Sequence, residues 1–162
     1  MGLAKLYNNL ERLEKLAINV IKIEYKLNKI LTTLYKDKDF KAWVIDLNTN
    51  EQLYKGINAF GVTLESIGGG YSGITIEYKK EKRQPFDRVT LKDTGKFYKS
   101  FKVQVGKGDF TITANTQIHG NDLARDWGKD IIGLTDENIE KVSKYIINKI
   151  TQPLLEAILQ DV

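Results

Sequence analysis

Asp93-Thr94-Gly95 is the tripeptide of this chain with a known chemistry. In aspartic proteases, one such Asp from each half shares a proton with its twin, because two adjacent carboxylates cannot both ionise. A single copy would need a homodimer. The flanks point elsewhere: Lys92 precedes the tripeptide, and Lys96-Phe-Tyr-Lys99 follows with helical character. Asp93 or Thr94 is expected to cap a short helix running to Ser100, with Gly95 completing the turn. Asp122, Asp126 and Asp130 lie four apart and could share one helix face, but Gly128 interrupts them and the spacing matches no calcium loop. They read as a solvated acidic face. The single His, His119, has no acidic or hydroxyl partner beside it in sequence and reads as a surface or capping residue. Gly68-Gly69-Gly70 is not followed by a Lys-Ser/Thr pair and is expected to be a mobile surface loop, not a phosphate cradle. No nucleophile, base and orienting group come together. The expectation is no enzyme, no cofactor and no metal.

Composition narrows the field further. The chain has 162 residues, 41% hydrophobic and 28% charged, enough apolar material for one domain with an appended arm. The absence of Cys removes disulfides, thiolate metal sites and a Cys nucleophile. No apolar run approaches the roughly 20 residues that span a bilayer. The start lacks the apolar core of a signal peptide, so a soluble cytoplasmic product is expected.

From Leu3 to Tyr35 there is no Gly or Pro, and apolar residues fall on a heptad grid. Leu3, Leu10, Ala17 and Leu31 take one core position; Leu6, Leu13, Val20, Leu27 and Leu34 take the other. Glu24 is the polar exception, and Leu16, Ile23 and Ile30 widen the stripe. A helix of about 32 residues runs about 48 Å, against a radius of gyration of about 15 Å for a compact domain of this length. It must bend back, pack along its own domain or meet a neighbouring subunit. Residues 1–36 are therefore read as an amphipathic helical arm, and 37–162 as the domain proper.

Lys36-Asp-Lys-Asp39 breaks the arm, and Phe40 to Ile57 reads as a shorter helix or mixed segment with a turn or cap at Asn48-Thr-Asn50. Strands are expected at Ile74–Tyr78 and Arg88–Leu91, with a charged loop from Lys79 to Arg83. Phe101, Val103 and Val105, then Phe110, Ile112 and Ala114, alternate around Gly106-Lys-Gly-Asp109, the best hairpin in the chain. Asn121–Trp127 reads as a short helix ended by Gly128. Thr135 can cap a final helix with the face Ile139, Val142, Ile146 and Ile150, which Pro153 should kink or restart. The class is α+β: a long N-terminal helical segment, a central antiparallel sheet with a hairpin, and C-terminal helices packed on the sheet.

The net charge of +4 hides segregated blocks: +4 over residues 1–36, −3 over 37–78, +7 over 79–107 and −4 over 108–162. Opposed charged faces can join copies tip to tail or steer docking to a charged partner. Interface candidates are Leu10, Leu13, Val20, Leu27 and Leu31 on the arm, and Lys96, Lys99 and Lys102 on the basic block. That block matches no helix-turn-helix, RNA-recognition or OB-fold signature, which leaves non-specific DNA binding as its nucleic-acid alternative.

The stretch Arg88-Val-Thr-Leu-Lys-Asp-Thr-Gly-Lys-Phe-Tyr-Lys-Ser-Phe101 resembles the small neck and tail-completion proteins of tailed bacteriophages. Their middle reads Leu-x-Asp-Thr-Gly, a short helix, then Ser and an apolar residue entering a strand. The resemblance takes in Glu51-Gln-Leu-Tyr-Lys-Gly56, Gly61, Thr75 and Lys79 upstream. Downstream it takes in Leu123, Trp127-Gly128 and Ile132-Gly-Leu-Thr-Asp-Glu137. It covers roughly residues 51–150 and is similar to proteins of Bacteroides-type phages, crAss-like phages among them. The resemblance implies a non-enzymatic virion protein of the head–tail junction. Such a protein would form a homo-oligomeric ring of six or twelve copies and meet portal or adaptor and tail proteins, with no membrane and non-specific contact with packaged DNA. The Asp93-Thr94-Gly95 turn would then be architectural. The alternatives are a basic DNA-binding accessory protein and a homodimeric aspartic protease.

Overall fold

The computed structural model describes residues 2–159, with side chains from Tyr7 onward. The class is α+β. Helix α1, Gly2–Lys36, runs unbroken, as a stretch free of Gly and Pro allows. Asp37 ends it and caps α2, Lys38–Asp46, its carboxylate accepting from Phe40 N at 2.8 Å. The chain then widens into a π-helix, Leu47–Gln52, in which Leu53 N–H reaches back to Asn48 O, and tightens into a 3₁₀ turn, Leu53–Lys55. Short helices α3 (Leu64–Gly68), α4 (Gly73–Glu81) and α5 (Lys96–Lys99) follow.

The sheet consists of two separate antiparallel hairpins rather than one central sheet. Strands β1 (Lys102–Val105) and β2 (Phe110–Thr113) pair in the register Val103 with Ile112, so both apolar residues face the core. The turn of this hairpin rests on α1, where Gly108 N donates to Thr32 Oγ1 at 3.4 Å. Strands β3 (Gln117–Ile118) and β4 (Asn121–Asp122) form the second, smaller hairpin. Helix α6 (Leu123–Trp127) ends at Gly128, whose φ of +83° leaves the helix. A 3₁₀ turn, Lys129–Ile131, leads to α7, Asp136–Leu159. Thr135 Oγ1 accepts from Asn138 N at its start.

Two core clusters hold these elements. One gathers Tyr35, Phe40, Val44, Leu47, Val103 and Val142, with Leu31 and Leu34 of α1 and Tyr145 of α7 against it. Phe40 is its hub, in ring contact with Tyr35, Trp43, Phe110 and Tyr145. Truncating such a ring costs about 3–5 kcal/mol. The other gathers Leu53, Leu64, Val89, Phe97, Tyr98, Phe101 and Ile131. Ile45 and Ile112 touch both clusters.

Several expectations are corrected. Ile74–Tyr78 is not a strand but the middle of α4, which extends through Lys79 and replaces the expected charged loop. Ser72 caps it, accepting from Thr75 N, and this local bond outweighs the β-branched content of Ile74-Thr-Ile76. Arg88–Leu91 is not a strand: it starts in a bend at Arg88, takes a positive φ at Leu91 and pairs with no strand. The segment at Gly68 is the end of α3. Asn48-Thr-Asn50 lies inside the π-helix. On α7, Val142 is buried but Ile139 is exposed, and the helix runs through Pro153 as one element to Leu159.

Candidate functional site

A cleft of about 820 Å³ opens between α4, the segment around Asp93 and the β3–β4 hairpin with α6. Ile74, Tyr78, Phe97, Ile118, Leu123 and Trp127 give it apolar walls; Lys79, Lys92, Lys96, Asp93 and His119 supply its polar groups. Its volume falls within the ordinary range of binding clefts.

The wall that carries Asp93 is unusual, because side chains take the place of a strand partner. Thr90 N donates to Tyr71 Oη at 2.9 Å, and Tyr98 Oη donates to Thr90 O at 2.7 Å. Lys79 Nζ donates to Lys92 O at 2.7 Å and to Gln84 Oε1 at 3.1 Å, while Gln84 Nε2 donates to Asp93 O at 2.8 Å. Arg88 Nε anchors the other end on Tyr54 O at 2.9 Å. A segment with unmet backbone groups would be costly to bury, and these bonds remove that cost. Lys79 is only 4% exposed and its ammonium lies 4.8 Å from the centre of the Tyr71 ring. Burial, with Tyr71 and Tyr54 nearby, pushes the Tyr98 phenol well above its usual range. The segment bends at Leu91, whose φ of +54° is rare for a branched side chain and is held by this surround.

The tripeptide itself is a corner. Gly95 takes φ +78° immediately before α5, a conformation that suits glycine. Thr94 Oγ1 accepts from Lys96 N at 3.4 Å, a long bond, and no side chain bonds at the cap position of α5. The Asp93 carboxylate does not cap the helix; it accepts from Lys82 Nζ at 2.9 Å. A bond to Tyr78 and, after it, the one to Asp93 hold the Lys82 ammonium above its usual range. The Asp93 carboxylate is thus half-exposed and faces an ammonium.

The glycine run is built into the structure. An added Cβ on Gly68 would lie 2.4 Å from Trp127 Nε1, so the indole packs directly on the backbone. Gly69 has φ +83°, and a Cβ on Gly70 would press on Glu65 Oε1 at 2.8 Å. His119 and Gly120 are the two central residues of the β3–β4 turn, with φ of +52° and +81°. Two positive values make a type I′ turn, whose twist suits a tight hairpin. Of the three spaced aspartates, Asp122 caps α6 by accepting from Ala124 N and Arg125 N, and the Arg125 bond leads in lowering its pKa. Asp126 pairs with Arg125. Among the described residues no group of three or more His, Cys, Asp or Glu is placed to hold a metal ion, and no helix is long and apolar enough to cross a membrane.

The arm candidates divide at the edge of the body. Leu27 and Leu31 are half-buried where α1 meets α7, the Lys26 ammonium donating to Ala157 O near that edge. Leu10, Leu13 and Val20 are more than half exposed, as are Leu16 and Ile21. Every described side chain from Tyr7 to Tyr25 is exposed. Lys96, Lys99 and Lys102 are also exposed, and none of them has a carboxylate partner among the described residues.

Sequence reasoning missed Lys79, Gln84, Tyr71 and Tyr98 as the clamp on the Asp93 segment. The one local signal was Ser72-Gly-Ile-Thr75, a cap ahead of a helix that aims Lys79 inward. The partners themselves lie up to 19 residues apart and carried no spacing to read. No family model, curated protein or solved structure matches the chain.

Proposed function

We propose that this chain is a non-enzymatic assembly subunit, and that the assembly is the head–tail junction of a tailed-phage virion. The observation that carries the first part is the arm. From Tyr7 to Tyr25 it stands clear of its own body, with apolar side chains in water over five turns. An exposed apolar surface of that extent marks an interaction site. Most of a helix's stability in proteins comes from packing its amphipathic face, so the arm gains stability from a neighbour. The setting comes from the sequence resemblance to neck and tail-completion proteins. Segments that carry it contact one another: Gln52 bonds Gly133 and Thr135, and Arg88 bonds Tyr54. In this reading the residues around Asp93 are architectural, and copies close into a ring of six or twelve that docks on portal or adaptor and tail proteins.

Light scattering over a range of concentration and salt is the test. A discrete mass of six or twelve copies, alone or on addition of the portal, is expected; a chain that stays monomeric with the virion proteins present overturns the reading. The exposed, carboxylate-free Lys96, Lys99 and Lys102 favour one second reading, a DNA-binding accessory protein. It predicts duplex binding that falls by orders of magnitude between low and moderate salt.

A further inference from the structure

The free arm and the cleft are complementary in apolar character and charge. At 3.6 residues per turn, the apolar side chains from Leu10 to Ile23 cover more than half the helix circumference, too wide a face for one partner helix. Within that face lie two carboxylates. Glu14 sits between the rows of Tyr7 and Ile21, and Glu24 between those of Leu13 and Ala17; neither forms an ion pair among the described residues. A bundle of identical arms in register would bring Glu24 of each copy together in an apolar seam, where unpaired charge is costly. A surface that is both apolar and basic avoids that cost.

The cleft is such a surface. Ile74, 82% exposed, and Tyr78 form an apolar lip in front of the buried wall. Lys96 brings an exposed ammonium to it, and its one lining carboxylate, Asp93, is already held by Lys82. Helix-in-groove docking needs apolar anchors on one side and a flanking charge pair to set register. Helix α1 continues unbroken into the body, where it packs on α7, α2 and β1. An arm seated in the cleft of the next copy gives the head-to-tail arrangement that closes into rings.

We propose that the arm of each copy lies in the cleft of the next, with Leu10, Leu13 and Ala17 on the apolar lip and Glu14 against Lys96. This rests on the assembly reading above and names its contact. Because the chain has no Cys, paired cysteines report the contact without background. Oxidation of a Leu13→Cys, Ile74→Cys variant should give a ladder of linked subunits on a non-reducing gel, and a Leu13→Cys, Glu140→Cys control should not. In parallel, Lys96→Glu should weaken self-association about tenfold, and adding Glu14→Lys should restore it (roughly, for a desolvated pair). Lys96 is exposed, so circular dichroism should stay native in both. The docking is overturned if Lys96→Glu leaves association unchanged, if Glu24→Leu strengthens it as an arm bundle would, or if the full chain stays monomeric at every concentration. Assembly that persists with an indifferent cleft sinks this contact alone, whereas failure to co-assemble with the portal sinks the virion role.

Discussion

Gly68 lacks a methyl group because the Trp127 indole occupies its place. With a Cβ 2.4 Å from Nε1, either the ring or the end of α3 must move. Gly68→Ala is expected to cost about 1–3 kcal/mol, the range of an overpacked core, and calorimetry should show the lowered Tm. Trp127 Nε1 is buried without a hydrogen-bond partner among the described residues, so Trp127→Phe should be milder than the loss of a bonded indole. Tyr98 sets a second residue-scale expectation. Its phenol is buried and its pKa is raised, so the folded state holds the proton more tightly than the unfolded chain does. The stabilisation is complete below the unfolded value of about 10 and is lost as pH rises beyond it. Denaturation followed from pH 8 to 11 should show this alkaline loss, and Tyr98→Phe should flatten it while lowering stability at neutral pH through the lost bond to Thr90 O.

At the scale of elements, the π-helix and the loop before α7 are one unit. Asn48 Nδ2 donates to Ile131 O and its Oδ1 accepts from Gly133 N; Gln52 Nε2 donates to Gly133 O and its Oε1 accepts from Thr135 N and Asn138 Nδ2. Two side chains thus act as a strand edge for a loop that has no strand to pair with. Asn48, Gln52 and Asn138 are nearly fully buried, so the network matters through the cost of breaking it. Gln52→Leu keeps the bulk and leaves Gly133 O and Thr135 N unmet, which should cost about 1–3 kcal/mol by urea titration. Glu51→Gln, at the half-exposed pair with Lys141, should cost well under that.

For the whole molecule, stability is distributed unevenly. The body from Lys26 onward has two apolar clusters, while the arm from Tyr7 to Tyr25 has no packing of its own. On dilution below the assembly range, helicity should fall while the near-ultraviolet signal of Trp43 and Trp127 holds. Amide exchange should show the same division, fast through Tyr25 and slow around Phe40. Removal of residues 1–24 should leave the melting of the body nearly unchanged and abolish association.

The sequence by itself determined what depends on neighbours along the chain. The unbroken α1 follows from helix-forming residues without Gly or Pro, the β1–β2 hairpin from alternation about a Gly-rich turn, and the α6 stop from Gly128. The heptad stripe also announced a helix longer than its domain. Tertiary structure decided what depends on residues far apart. Ile74–Tyr78 became helix because Ser72 caps it and its inward face meets the Asp93 segment through Lys79. Arg88–Leu91 stayed unpaired because Tyr71, Tyr98, Lys79 and Arg88 satisfy its neighbourhood through side chains, and the Gly68 run is packed because Trp127 returns to it from 59 positions along the chain. Periodicity records which face of an element is apolar; only the fold decides which distant polar group completes its hydrogen bonds.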